Sequence, residues 1–214
     1  MSDGVWRSWT ATVTAAEVAG FLAPAAVGAL TADAAWTVTV PALLAAGAVE
    51  GTLLGWGQAV VLRRELPGFP RRRWIAVTAA AAVLAYAIGV LPSSAAGVWQ
   101  RWPAAAQVVV GGLLGLALLN SIGVAQWTVL RRLVPHSARW IGYSAVGWLA
   151  GLAVFMLFTM PLWQPGQALA VTIAIGVAGA VLMAATMAAI TGRCVWRWFG
   201  GPVPAVPRTP PVRV

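Results

Sequence analysis

Six long apolar stretches, each bounded by arginine, proline or tryptophan, divide the chain at approximately 10–31, 36–62, 74–94, 104–130, 140–162 and 168–192. Each holds the roughly 20 apolar residues that a helix needs to cross the hydrocarbon of a bilayer. No segment alternates apolar and polar positions as the strands of a membrane β-barrel do. Backbone in lipid must satisfy its own hydrogen bonds, which leaves helices. The pattern predicts an all-α polytopic membrane protein with six transmembrane helices in one domain, 1–200. A Pro-rich tail, 201–214, has no apolar period and reads as a disordered cytoplasmic end. Arg7, the first apolar run and "TADAA" at 31–35 imitate a cleavable signal peptide. The run is long and carries Glu17 and Pro24, so it is expected to stay as a span.

The polar residues between the spans set an orientation. Arg7, Arg63, Arg64, Arg71 to Arg73, Arg131, Arg132, Arg139, Arg193, Arg197, Arg208 and Arg213 fall on one side, and Arg101 alone on the other. By the positive-inside rule both termini are cytoplasmic. Composition agrees with this: 60% of residues are hydrophobic and 9% charged, against roughly 25% charged in soluble domains. The net charge of +9 therefore reports membrane topology rather than nucleic-acid binding. Arg63, Arg64, Arg131 and Arg132 are expected to anchor on anionic lipid. Trp9, Trp74 and Trp140 begin the odd-numbered spans, and Trp36, Trp99, Trp102 and Trp163 lie near the opposite ends. Both sets are expected to form aromatic belts at the headgroups.

The chain repeats itself. "GWGQAVVLRRELP", from Gly55 to Pro67, and "GVAQWTVLRRLVP", from Gly123 to Pro135, share seven of thirteen positions. The same frame carried into the last span places Gly176 on Gly115, Met187 on Gln126 and Arg193 on Arg132. The unit is a helical hairpin that opens on Trp and closes on Arg, with copies at about 9–64, 74–132 and 140–193. Equal orientation of the copies implies a pseudo-threefold axis along the membrane normal. Gly47, Gly51 and Gly55 share one helix face, as do Gly112, Gly115 and Gly123, with Gln58 and Gln126 extending the two faces. Small residues let membrane helices approach closely and amides bridge them. These faces are expected to meet near the axis, with the glutamines as interhelical bridges or as the lining of a polar vestibule.

Two acids interrupt the apolar spans. Glu17 lies about 12 Å along its helix from Trp9, and Glu50 about 20 Å from Arg63. A carboxyl at such depth is costly and marks a functional-site hypothesis. Neither has an acidic counterpart in the other copies, where Ala82 and Trp148 align with Glu17, and Leu118 and Gly179 with Glu50. The pair is read either as proton- or cation-responsive, or as bonded to Thr12, Thr14, Thr52, Asn120 or a backbone carbonyl. Asn120 is the remaining deep polar residue. Glu17, Glu50, Asn120, Gln58 and Gln126 are thus the candidate polar lining. The single Cys194 and single His136 leave no metal cluster or disulfide, and no phosphate-binding loop or catalytic triad is present. The residues point to no enzyme and no cofactor.

The block G-x-x-Q-x-x-V-L-R-R-x-x-P, followed by a Trp-initiated helix ("RRRWIAVT", "SARWIGYS"), resembles small uncharacterised bacterial multi-pass membrane proteins with repeated G-x-x-Q-W-x-x-L-R blocks. The second copy matches fully, whereas the first has Ala59 in place of the Trp. The resemblance implies a bacterial membrane setting and no activity. Three hairpins with both ends inside also resemble the architecture of mitochondrial carriers, whose proline–acid–basic signature is absent at the odd-helix ends. The expectation is an integral membrane protein that binds or passes a small solute, ion or lipid through its bundle. The alternative is a non-transporting accessory or assembly subunit whose glycine faces and Arg loops dock a membrane protein partner.

Overall fold

The computed structural model describes residues 3–199, so the expected disordered tail lies outside the described residues. The described residues form seven helices and no strand. In chain order they are α1 (Asp3–Leu30), α2 (Trp36–Glu65), α3 (Arg71–Ser94), α4 (Ala96–Trp99), α5 (Ala104–Leu130), α6 (Arg139–Thr159) and α7 (Leu169–Phe199). All except the single-turn α4 are long and apolar enough to cross a membrane. The helices overrun the apolar stretches because backbone hydrogen bonding continues past the last apolar residue into the polar flanks. α1, for instance, starts at Asp3 rather than near residue 10. Pro24, Pro41 and Pro92 sit inside α1, α2 and α3, where packing against neighbouring helices lets the chain tolerate a lost amide.

Each long helix packs against two others, and the contacts close a ring in the order α1, α2, α3, α5, α6, α7 and back to α1. Direction alternates around the ring, so the starts of α1, α3 and α6 meet the ends of α2, α5 and α7 at one arginine-bearing end. The buried core is concentrated there. It includes Trp9, Leu62, Trp74, Leu130, Trp140 and Val195. All the buried residues of α5 lie at or beyond Ile122, and all those of α2 at or beyond Ala46. Burial in α2 and α5 is therefore concentrated toward the arginine-bearing end, whereas α6 and α7 stay in contact to the far end, where a Cβ on Gly179 would stand 2.6 Å from the Thr159 side chain.

The glycines explain where helices come closest. A Cβ on Gly51 would stand 2.6 Å from the Ala82 Cβ and 2.8 Å from the Ala79 Cα; one on Gly55 would meet Thr78 and Ile75 at 3.0 and 3.1 Å. Gly123 meets Ser144 and Ile141 in the same manner. The sequence pattern predicts that these faces meet at the axis. Instead each packs on the next helix of the ring, α2 on α3 and α5 on α6. Gly115 has nothing within 4 Å among the described residues, and Gly176 meets only the far edge of the Trp163 ring at 3.9 Å. Both precede the first buried residue of their helices, so neither is a packing glycine.

Candidate functional site

Two polar layers follow one another along the ring, and the first closes it. Trp9, Trp74 and Trp140 are 0%, 0% and 1% exposed, so they form no headgroup belt. Their rings converge, with centroids 5.7 Å apart for Trp9 and Trp140 and 6.1 Å for Trp74 and Trp140. A buried indole N–H needs an acceptor, and each finds one on the helix before it in the ring. Trp74 donates to Gln58 Oε1 at 3.2 Å, Trp140 to Gln126 Oε1 at 2.8 Å, and Trp9 to Thr191 Oγ1 at 3.1 Å. Gln126 Nε2 also donates to Gln58 Oε1 at 2.6 Å and to Thr78 Oγ1 at 2.9 Å. Gln58 and Gln126 are thus buried bridges and line no vestibule: both side chains are engaged inside the plug. In α7 the acceptor is Thr191, one turn beyond the Met187 that the sequence frame aligns with Gln126.

Beyond this plug the helices part around a cavity of about 370 Å³ that all six long helices line. Its wall is apolar: Phe21, Leu54, Leu118, Trp148, Leu152 and Met183 are among its members. Among the described residues, only Glu50 and Tyr86 bring ionisable groups to it. The Tyr86 hydroxyl donates to Glu50 Oε2 at 2.5 Å. Gly47 makes room for this ring, since a Cβ there would stand 2.5 Å from the Tyr86 Cδ2. Glu17, fully buried on α1, turns its carboxyl toward that of Glu50. Neither of its oxygens meets a hydroxyl, amide or basic donor among the described residues. Gly20, one turn above, lets the two helices touch, for its Cβ would stand 3.0 Å from the Glu50 Cα.

The sequence candidates therefore separate. Glu17 and Glu50 come together, and Glu50 faces the cavity with Glu17 behind it. Asn120 does neither: its amide donates to the Leu116 carbonyl of its own helix at 2.8 Å. Thr52 likewise bonds to its own helix at Ala48 and is no partner of the acids. Tyr86 is the site residue that the polar pattern of the sequence does not pick out. Its signal is a phenol deep in the third apolar span, where the hydroxyl must find a partner. The positions aligned with the acids are informative too. Ala82 and Trp148, aligned with Glu17, and Leu118, aligned with Glu50, all line the cavity. In α7 the lining residue is Met183, again one turn beyond the aligned Gly179.

A carboxyl pair at the wall of an apolar chamber can share one proton between two oxygens, or exchange it for a cation. No group of three or more His, Cys, Asp or Glu able to hold a metal ion occurs among the described residues. In comparisons with known proteins, no family model matches the chain, and no curated protein or solved structure matches it significantly.

Proposed function

We propose that this chain is a multi-pass membrane protein of the bacterial inner membrane that binds a small solute in its central cavity, the solute having an apolar body and a cationic head. The observation that carries this reading is Glu50. Among the described residues it is the one carboxylate on the wall of a chamber otherwise lined by apolar groups, glycines and Tyr86. A volume near 370 Å³ falls within the roughly 300–1,000 Å³ of small-molecule sites. A carboxylate in such a wall, with no basic partner beside it, selects for positive charge. The faces of Phe21, Tyr86 and Trp148 favour a delocalised cation further. No basic side chain among the described residues lines the cavity, so an anionic ligand would find no counter-charge.

The hairpin repeat supports the same reading. Each odd span of the sequence, now α1, α3 and α6, sends an indole to the preceding helix of the ring, as a threefold unit requires. The third copy fits once its frame in α7 moves by one turn, so that Thr191 stands for Gln126 and Met183 for Leu118. The first hairpin then alone carries acids where the others carry apolar groups. Both termini face the cytoplasm in this reading, and the exposed Arg63, Arg64, Arg131 and Arg132 lie on anionic lipid there. The alternative of an accessory subunit would dock a partner through its glycine faces and its Arg loops, and only the first of these is occupied. Gly47, Gly51, Gly55 and Gly123 are already covered by helices of the same chain.

The test is saturable binding of a delocalised organic monocation, tetraphenylphosphonium, to the protein in nanodiscs, measured by equilibrium dialysis. Glu50→Gln keeps the shape and removes the charge, and is expected to weaken binding at least about tenfold, about 1.4 kcal/mol, through loss of one charge–charge attraction in a poorly solvated chamber. Acidification should weaken binding to the wild type and not to Glu50→Gln, because the proton competes for the same oxygens. Unchanged affinity in Glu50→Gln would remove the carboxylate from recognition.

A further inference from the structure

A second site stands apart from the central cavity, on the outer face of the seam where α7 meets α1. At the arginine-bearing end a depression of about 250 Å³ is lined by Trp6, Arg193, Trp196 and Arg197. Arg193 and Arg197 are one turn apart and so share a helix face. Arg197 is held on one edge: it donates to the Tyr143 hydroxyl and lies over that ring at 5.6 Å. Trp6 is fixed as the opposite wall, for its Nε1 donates across the seam to the Ala189 carbonyl at 3.1 Å. From the same Trp6 a furrow of about 690 Å³ runs away from the basic end, with Arg7 at its mouth. Its walls are Ala11, Ala15, Val18, Ala19, Leu22 and Val181, together with Thr10 and Thr14. From Thr10 to Leu22 the furrow is about 18 Å long at 1.5 Å per residue, close to one leaflet of a hydrocarbon core about 30 Å thick. No acidic side chain among the described residues lines either part.

We infer that this seam is a binding site for one anionic phospholipid, its phosphate among Arg7, Arg193 and Arg197 between the two indoles, and one acyl chain lying in the α1 furrow. Three features combine to select that occupant. The guanidinium cluster needs an anion, indoles settle at headgroup level, and the furrow continues from the cluster into the hydrocarbon for the depth of one chain. A free phosphate would use the first feature only. A neutral phospholipid would use the last two.

The experiment is native mass spectrometry of the intact protein released from nanodiscs of equal phosphatidylcholine and phosphatidylglycerol with matched chains. One phosphatidylglycerol per chain is expected to remain bound in preference to phosphatidylcholine. Arg193→Ala with Arg197→Ala should lower its retention roughly 30-fold, from about 1 kcal/mol for each basic residue near a lipid surface. Ala15→Phe, which fills the furrow and leaves every charge in place, should lower retention several-fold, whereas Arg72→Ala with Arg73→Ala, exposed at the start of α3, should leave it unchanged. Equal retention of the two lipids would overturn the proposal, as would equal loss in the Arg72/Arg73 variant. If Ala15→Phe has no effect and glycerol phosphate displaces the lipid, the site is a bare anion site and the lipid assignment fails. Thermal unfolding of each variant at wild-type temperature separates these outcomes from loss of fold.

Discussion

A glutamine amide carries two donor hydrogens and an acceptor oxygen, and Gln126 engages all three, bonding to Trp140, Gln58 and Thr78. Such a node ties its own helix to three others. Gln126→Leu would leave the Trp140 indole without its acceptor in a buried, dry layer, and Gln58 and Thr78 would each lose a partner. Interhelical hydrogen bonds in membranes average about 0.6 kcal/mol, but an orphaned buried donor costs about 1–3 kcal/mol. The expected destabilisation is about 2 kcal/mol, read from the shift of the denaturant midpoint in mixed micelles. Asn120→Leu, a like loss of an amide about 9 Å further along the same helix, should move the same midpoint little, because Asn120 bonds only within its own helix. Equal shifts in the two variants would mean that the plug is not the source of cohesion. The contrast also marks what the sequence can tell at this scale. Polar residues in apolar spans are visible at once, and the shared depth of Glu17 and Glu50 follows from counting residues. Whether a side chain turns to its own backbone, to a neighbour or to a cavity depends on helix rotation, which composition does not encode. For that reason the sequence leaves the two glutamines open between bridge and lining, and their hydrogen bonds make them bridges, while Asn120 bonds to its own helix.

Glycines set the distance between helices, and their spacing along the chain makes the face legible but not its partner. Gly47, Gly51 and Gly55 step by four, so the sequence alone puts them on one face. Which helix covers that face depends on the closure of the ring, and α3 rather than the axis does so. Gly115 belongs to an equally regular series, yet it sits in the half of α5 that holds no buried residue. This separates two substitutions of identical chemistry. Gly51→Ala places a methyl 2.8 Å from the Ala79 backbone, so α2 and α3 must move apart and the Gly47–Tyr86 and Gly55–Thr78 contacts loosen with them. Overpacking of this kind costs about 1–3 kcal/mol. Gly115→Ala meets nothing within 4 Å among the described residues and gains helix propensity of up to about 1 kcal/mol. Thermal unfolding in one detergent should therefore show Gly51→Ala melting below wild type and Gly115→Ala at or above it. A fall in both would mean that Gly115 packs against something outside the chain, which would revive the docking role.

At the scale of the molecule, the plug and the parting helices define a funnel with one closed end. Tryptophan and glutamine fill the arginine-bearing end. The cavity begins beyond them and continues into the half where few residues are buried. Access to Glu50 is therefore expected from the side opposite the arginines, which the positive-inside rule places outside the cytoplasm. Cysteine labelling tests both statements in one chain, because the single native thiol, Cys194, is 1% exposed and should stay silent. Ser93→Cys, exposed at the far end of α3, should react with a membrane-impermeant maleimide on spheroplasts. Arg132→Cys, exposed after α5, should react only when the membrane is opened. Val90→Cys lies on the cavity wall. If the funnel admits water from the outer side, it should label on spheroplasts more slowly than Ser93→Cys, and an excess of tetraphenylphosphonium should protect it. Labelling of Arg132→Cys before Ser93→Cys would invert the topology. Labelling of Val90→Cys only after the membrane is opened would place the entrance on the arginine side, and the Trp–Gln layer would then have to part for a solute to reach Glu50.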